Sequence, residues 1–337
     1  MKQPAVDREH PTIRLPGITL RIECDFPALL DAILTAYGNS SSDLATAEVT
    51  LRACIQIEQL SVPEHVYRSV EHAIDRKDWH SEYIRHPRGA IVIFCVPDAP
   101  LIAYHNASEN SIHLVAYRPD RSKLAAMPAV TCALNPILRD VLLEKEYYML
   151  HAAGVQLSDD RGVLFIADNG GGKTTTAIQL TRNGARFLSD DLVILHRKAA
   201  GHWVAFAVRE NLNLSPRTLN FYNMERPAPN IHEKSARAKH PIPPDQIFTA
   251  AEMCDQMSVR ALCRVQLTGT QPELHLIRAT DMLPSILRAH CFADRQRPGA
   301  GAFRRFAELS DQYTTLELIT GDHPARIRIQ DFDRSVA

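Results

Sequence analysis

The chain has 337 residues, 45% of them apolar, and carries 38 Lys and Arg against 39 Asp and Glu. A net charge of −1 gives no electrostatic basis for nucleic acid or an acidic membrane surface as a partner. The length suffices for two domains with real cores.

Seven cysteines, at 24, 54, 95, 132, 254, 263 and 291, form no C-x-x-C pair and are odd in number. That pattern suits reduced thiols in a cytosol. The start, Met1-Lys2-Gln3-Pro4, lacks an apolar h-region, so no secretory signal is expected. The longest apolar run, residues 90–96, is too short to span a bilayer. The expectation is a soluble cytoplasmic protein.

Residues 1–11 are polar and read as loose. Residues 18–24 alternate apolar and polar, the pattern of a half-buried strand. Asp25 then caps a helix with Leu29, Leu30, Ile33 and Leu34 inward and Gly38 at its close. Residues 49–57, 91–96 and 112–117 read as further strands, the second buried on both faces. This section, residues 1–135, is a small α+β domain without a chemical motif; it reads as a packing, substrate-binding or partner-binding module.

Asn135-Pro136 has the form of a helix start, a cap followed by proline at the first helical position. The domain boundary is placed there, and residues 136–337 form the second domain. Residues 150–155, Leu-His-Ala-Ala-Gly-Val, read as one short strand, and residues 157–161 as a hairpin turn. A second apolar run, residues 162–166, breaks at Ala167-Asp168-Asn169-Gly170-Gly171-Gly172 and resumes as a helical pattern from Lys173 to Asn183, closed by Gly184.

Strand, glycine loop, Lys-Thr and helix together make a phosphate-binding P-loop. Glycines let successive backbone N–H groups turn toward phosphate oxygens, and the helix N-terminus adds its positive dipole end. Residues 168–175 would form the cradle: Lys173 reaches the β- and γ-phosphates, the Thr174 hydroxyl sits on Mg²⁺, and Thr175 follows it. The pattern G-x-x-x-x-G-K-[ST] wants glycine where this chain has Ala167, which costs little if its φ is negative and about 1 kcal/mol or more if positive.

Residues 185–195 place Asp190 and Asp191 between two apolar stretches. Adjacent carboxylates repel, and Mg²⁺ on a bound nucleotide would relieve them; a turn between two strands is the alternative. Read as part of a strand, the pair would point to opposite faces. In that reading Asp190, in phase with Leu192 and Ile194, is the base, and Asp191 serves the metal.

The strings L-H-A-A-G-V, G-V-L-F-I-A-D-N-G-G-G-K-T-T and G-A-R-F-L-S-D-D resemble the catalytic domain of the HPr kinase/phosphorylase-like family. That family shares its nucleotide site with ATP-dependent phosphoenolpyruvate carboxykinase. The resemblance is strong over residues 150–196 and does not reach residues 1–135. It implies an α/β P-loop kinase domain, ATP and Mg²⁺ as cofactors, and His151 beside the γ-phosphate and the acidic pair. Taken alone, His151 would read as a hydrogen-bonded core histidine. The downstream signature E-I-R-G-x-G of HPr kinases does not occur; the nearest material, residues 208–214, offers Arg209 and then Arg217 as phosphate contacts.

The resemblance therefore points to diverged members acting on a Ser or Thr of a peptide or small protein, such as a lasso peptide precursor. A small-molecule kinase, or a nucleotide-binding regulator without turnover, is the alternative. A homo-oligomer is a further open arrangement.

Residues 222–244 are rich in Pro, Asn, His and Lys and read as a long loop. It is either a solvated surface or a lid with Lys234 and Arg237 as phosphate ligands. Residues 259–267 read as a strand, 281–289 as a helix capped by Thr280, 294–301 as a polar connection, 303–309 as a helix and 314–319 as a strand.

Overall fold

The computed structural model describes residues 11–24, 26–37, 47–54, 80–86, 89–95, 101–116, 129–157, 161–168, 170–208, 211–225, 239–268, 271–292, 296–321, 327–333 and 335. The chain divides into two compact units, residues 1–34 with 41–137, and residues 35–40 with 138–337. The protein is a mixed α/β structure with several sheets. Among the described residues no helix is long and apolar enough to cross a membrane.

The first unit contains strands β1 (Thr12–Leu15) and β2 (Ile18–Cys24), then β3 (Ala47–Cys54), β4 (His80–His86), β5 (Gly89–Cys95), β6 (Leu101–Asn106) and β7 (Ser111–Ala116). Helix α1 (Pro27–Tyr37) follows β2. The seven strands form one sheet in the order β1-β2-β3-β7-β6-β5-β4, parallel at β2–β3 and β3–β7 and antiparallel elsewhere. In β2 the period of two holds: Ile18, Leu20 and Ile22 are fully buried while Arg21 is exposed. In α1 the buried positions are Leu29, Ile33 and Tyr37; Leu30 and Leu34, expected inward, are half-buried. Strands 80–86 and 101–106 were not legible in the sequence. Asp25 and Gly38 lie outside the described residues, as does the end of the strand expected at 49–57.

Helix α2 (Ala129–Leu143) begins six residues before Asn135, and Pro136 lies within it rather than at its first turn. Strands β8 (Tyr147–Leu150), β9 (Ala153–Gln156), β10 (Arg161–Ile166), helix α3 (Lys173–Arg182), β11 (Arg186–Ser189), β12 (Val193–Arg197), β13 (Trp203–Ala207), β14 (Leu212–Leu214), helix α4 (Pro216–Phe221) and β15 (His240–Ile242) follow. The chain ends with β16 (Gln256–Leu267), β17 (Glu273–Leu276), helices α5 (Ala279–Ala289) and α6 (Ala300–Gln312), β18 (Thr314–Thr320) and α7 (Ile329–Asp333).

Nine of these strands form the sheet of the second unit, ordered β11-β9-β10-β16-β13-β12-β8, with β18 joined to β16 and β17. Strand β16 is its spine. Along one edge it runs parallel to β10; along the other its start pairs with β13 and its last seven residues with β18. The apolar run of β10 is buried on both faces. Val163 and Phe165 pack with Ala177, Ile178 and Leu180 of α3, whereas Leu164 and Ile166 pack with Met282 and Ile286 of α5 and Phe306 and Leu309 of α6. A helix on one face and two on the other thus clamp the strand that delivers the glycine loop.

Residues 150–155 are not one strand: β8 pairs with β12 and β9 with β10 and β11, so the chain changes partners at His151. Helix α5 is capped by Arg278, not Thr280, and the Arg278 guanidinium binds the Asp281 carboxylate one turn on. Helix α6 starts at Ala300, inside the stretch expected as a connection. The loop expected over 222–244 is not wholly irregular, since residues 240–242 pair with β14. Strand β13 had no sequence reading at all.

Candidate active site

The site is built where β10 hands the chain to α3. Gly170 and Gly172 adopt φ of 78° and 95°, a left-handed conformation that an L side chain resists. Gly171 is required for space: a Cβ there would stand 2.7 Å from Ala167 Cβ and 3.0 Å from the Asp168 carbonyl oxygen. The Gly171 N–H donates to that carbonyl at 2.9 Å, closing the turn. Non-glycine residues with positive φ among the described residues are Asn110, Glu146, Asp191 and Asn223, so Ala167 carries none of the strain its position threatened. Asn169 lies outside the described residues.

Lys173 opens α3 and is almost fully buried, its ammonium donating to Ala167 O at 3.0 Å. Burial lowers its pKa, opposed by the carboxylates of Asp191 and Asp190. Thr174 Oγ1 donates to Asp190, 2.8 Å and 3.0 Å from its two oxygens. Asp190 is 3% exposed, and burial, followed by the neighbouring Asp191, raises its pKa.

The acidic pair does not continue a strand. β11 stops at Ser189 and β12 begins at Val193. Between them Leu192 N–H donates to Asp190 O at 2.7 Å across a three-residue turn with Asp191 at its centre, φ 63°. Ser189 Oγ braces the turn by donating to Leu192 O at 2.7 Å. A non-glycine residue in this conformation costs on the order of 1–3 kcal/mol and persists only where its surroundings hold it. The turn sends the two carboxylates to different partners: Asp190 to the start of α3, and Asp191 to His151 and Asn213.

Asp191 Oδ1 lies 3.5 Å from His151 Nε2, and its Oδ2 accepts from Asn213 Nδ2 at 3.3 Å. Burial, then the ammonium charge of Lys173, holds the His151 pKa well below the ordinary histidine value, against the pull of Asp191; Lys239 lowers it further. The crossover carrying His151 is tied to the end of α5. His151 N–H donates to Ala289 O at 2.7 Å, and His290 Nδ1 lies 2.8 Å from Met149 O.

The P-loop forms one wall of an open cleft. Gly170 to Thr176 and Asp191 line it, joined by Asn213, Thr218, Phe221 and Lys239. Arg217 lines it too, as the sequence suggested. Asp168 instead points outward, 88% exposed, with Arg288 Nε 3.8 Å from its carboxylate. Thr175 is fixed from behind, its carbonyl accepting from Tyr222 OH at 3.1 Å.

Arg209, Lys234 and Arg237 lie outside the described residues. Sequence reading passed over Asn213, Lys239 and Phe221. Lys239 belongs to the stretch 222–244 read as a loop, whereas a polar residue on a three-residue strand and a phenylalanine ending a short helix carry no local signal.

The donor set suits a hard cation. A threonine hydroxyl and a carboxylate, both oxygen, stand at a helix N-terminus beside the glycine loop, and Mg²⁺ takes few protein ligands and completes its shell with waters or ligand oxygens. Among the described residues no group of three or more His, Cys, Asp or Glu could hold a metal ion.

No protein-family model matches the chain, and no curated protein matches it. Among solved structures, the HPr(Ser) kinase/phosphatase from Coxiella burnetii is similar at 12% sequence identity with a TM-score of 0.29, over 53% of this chain and 88% of that one. A likeness at that level carries nothing about activity; the side-chain geometry has to do so.

Proposed function

We propose that the protein is an ATP- and Mg²⁺-dependent phosphotransferase of the HPr-kinase-like type, passing the γ-phosphate to a Ser or Thr hydroxyl of a peptide or small protein. The observation that carries the reading is the turn at Asp190 and Asp191. It sets one carboxylate on Thr174 of the P-loop and the other 3.5 Å from His151. A phosphoryl-transfer site needs both a carboxylate beside the metal position and a base beside the acceptor.

In this reading the P-loop amides and Lys173 hold the phosphates, and Lys173 exchanges its bond to Ala167 O for phosphate oxygens. Mg²⁺ would neutralise charge on the transferred group when bound. Thr174, as expected from the sequence, and Asp190 would hold it, which exchanges the roles expected for the two aspartates. Asp191 is then the base. It takes the acceptor's hydroxyl proton as that oxygen bonds to the γ-phosphorus and the bond to the β–γ bridging oxygen breaks, releasing ADP. His151, kept neutral, and Asn213 fix the two oxygens of Asp191.

The test is label transfer from γ-labelled ATP, with Mg²⁺, into a library of Ser- and Thr-containing peptides, run with wild type and Lys173→Ala. Transfer that depends on Lys173 is expected. Near-normal transfer by Lys173→Ala, or none to any hydroxyl despite bound nucleotide, would overturn the reading.

A further inference from the structure

Four large apolar side chains among the described residues are exposed, Phe221 and Leu267 by less than half and Leu276 by the most: Phe221, Leu267, Leu276 and Phe303. Two of the four, Phe221 and Leu267, line the cleft of the P-loop. Exposed apolar groups fixed beside a polar cradle imply a ligand that is polar at one end and apolar at the other.

Both side chains are held in place. Leu267 ends β16, where it pairs in register with Thr320 of β18. A Cβ on Gly172 would lie 3.7 Å from Val265 Cγ1 and 3.9 Å from Thr320 Cγ2, so the P-loop rests on these strand ends. Leu267 is two residues beyond Val265 and shares its face of the strand. Phe221 ends α4, its ring 4.9 Å from that of Tyr222 and perpendicular to it. Tyr222 is anchored to α3 through Thr175 O, and Arg182 stacks 4.3 Å over its ring.

The cleft lies on the Asn213 side of Asp191. His151, facing the other oxygen, is not among the described lining residues. The apolar end therefore belongs with the phosphate donor, not with the acceptor. We propose that Phe221 and Leu267 form the subsite for the base of the nucleoside triphosphate, with Phe221 as its aromatic contact. This rests on the nucleotide reading above and adds to it the part of the ligand that this end of the cleft recognises.

Titration calorimetry separates the two. Wild type, Phe221→Ala, Leu267→Ala and Phe221→Trp are titrated with a non-hydrolysable ATP analogue and with inorganic tripolyphosphate, both with Mg²⁺. Base–aromatic contact is expected to be worth roughly tenfold in affinity. The two alanine variants should lose about that for the ATP analogue and nothing for tripolyphosphate, and Phe221→Trp should retain wild-type affinity for both. Unchanged affinity of the alanine variants for the ATP analogue would overturn the subsite. Parallel loss of both ligands would overturn it too, by placing these side chains with the phosphates. A wild type that binds tripolyphosphate as tightly as the ATP analogue removes the subsite and leaves the P-loop standing. A wild type that binds neither ligand removes the nucleotide reading as well.

Discussion

Thr174 Oγ1 sits astride the Asp190 carboxylate, 2.8 Å from one oxygen and 3.0 Å from the other. The hydroxyl that the P-loop pattern assigns to a metal ion is therefore bound to the carboxylate delivered by a distant turn, and the two act as one oxygen cluster. Thr174→Val keeps the shape of the side chain and removes the donor. Hydrogen bonds to charged groups are worth about 1.5–3 kcal/mol, so the variant should lose roughly tenfold or more in affinity for a Mg²⁺–ATP analogue. Affinity for the same analogue in EDTA should change little. Equal losses in the two titrations would show that the hydroxyl has no part in holding the metal.

The acidic turn gives its two residues different partners, Thr174 for Asp190 and His151 with Asn213 for Asp191. Asp191→Asn should retain nucleotide affinity and lose turnover by about a hundredfold or more, the usual scale for a general base. Asp190→Asn should instead raise the Mg²⁺ concentration needed for half-maximal rate. Measuring kcat and the Mg²⁺ requirement of both variants decides the matter, and the opposite pattern would restore Asp190 as base.

The parts legible in the sequence were those written in a local period. The run 162–166 is apolar because both faces of β10 are buried, and the glycines that follow announce the loop. The acidic pair left strand and turn both open because apolar residues flank it on both sides, which mimics a strand; the structure has the turn. The turn there depends on a left-handed aspartate, a conformation uncommon outside glycine even though aspartate reaches it more often than most residues, and nothing in the local pattern singles out which of the two takes it. The single-strand reading of residues 150–155 failed for a different reason: Leu150 and Ala152 are both fully buried, so nothing local marks the exchange of strand partners between them. Pro136 was read as a first-turn proline because its usual place is there, whereas α2 carries it in its interior.

Ala167 and Gly171 form a packed pair at the base of the loop. Gly171→Ala would force a contact of 2.7 Å with Ala167 Cβ and one of 3.0 Å with Asp168 O. Nucleotide affinity should fall sharply. Ala167→Gly alone should be mild, since Ala167 has no positive φ to relieve. The double variant should recover part of the loss, because only the Asp168 contact remains. A double-mutant cycle in ATP-analogue affinity reads the coupling; strict additivity would show that the two positions do not meet.

His290 couples pH to the stability of the segment that carries His151. It is fully buried, its Nδ1–H donates to Met149 O at 2.8 Å, and its ring packs edge-on against Phe306. Burial, then the nearby Arg139 guanidinium, lowers its pKa from 6.5 to about 3, against the bond to Met149. The folded state therefore refuses a proton that the unfolded chain accepts. Stability from this group is complete above pH 6.5 and is lost as pH falls from there toward 3, by about 1.4 kcal/mol per pH unit within that window. His290→Asn retains a donor for Met149 and removes the titration. Urea unfolding at pH 7.5 and pH 5 should show wild type losing more stability on acidification than the variant. The variant, with its donor shifted on a shorter side chain, should also lower kcat, because the bonds to Met149 O and from His151 N–H to Ala289 O hold the backbone that carries His151. Identical acid sensitivity in the two proteins would show that His290 takes no part in the acid response.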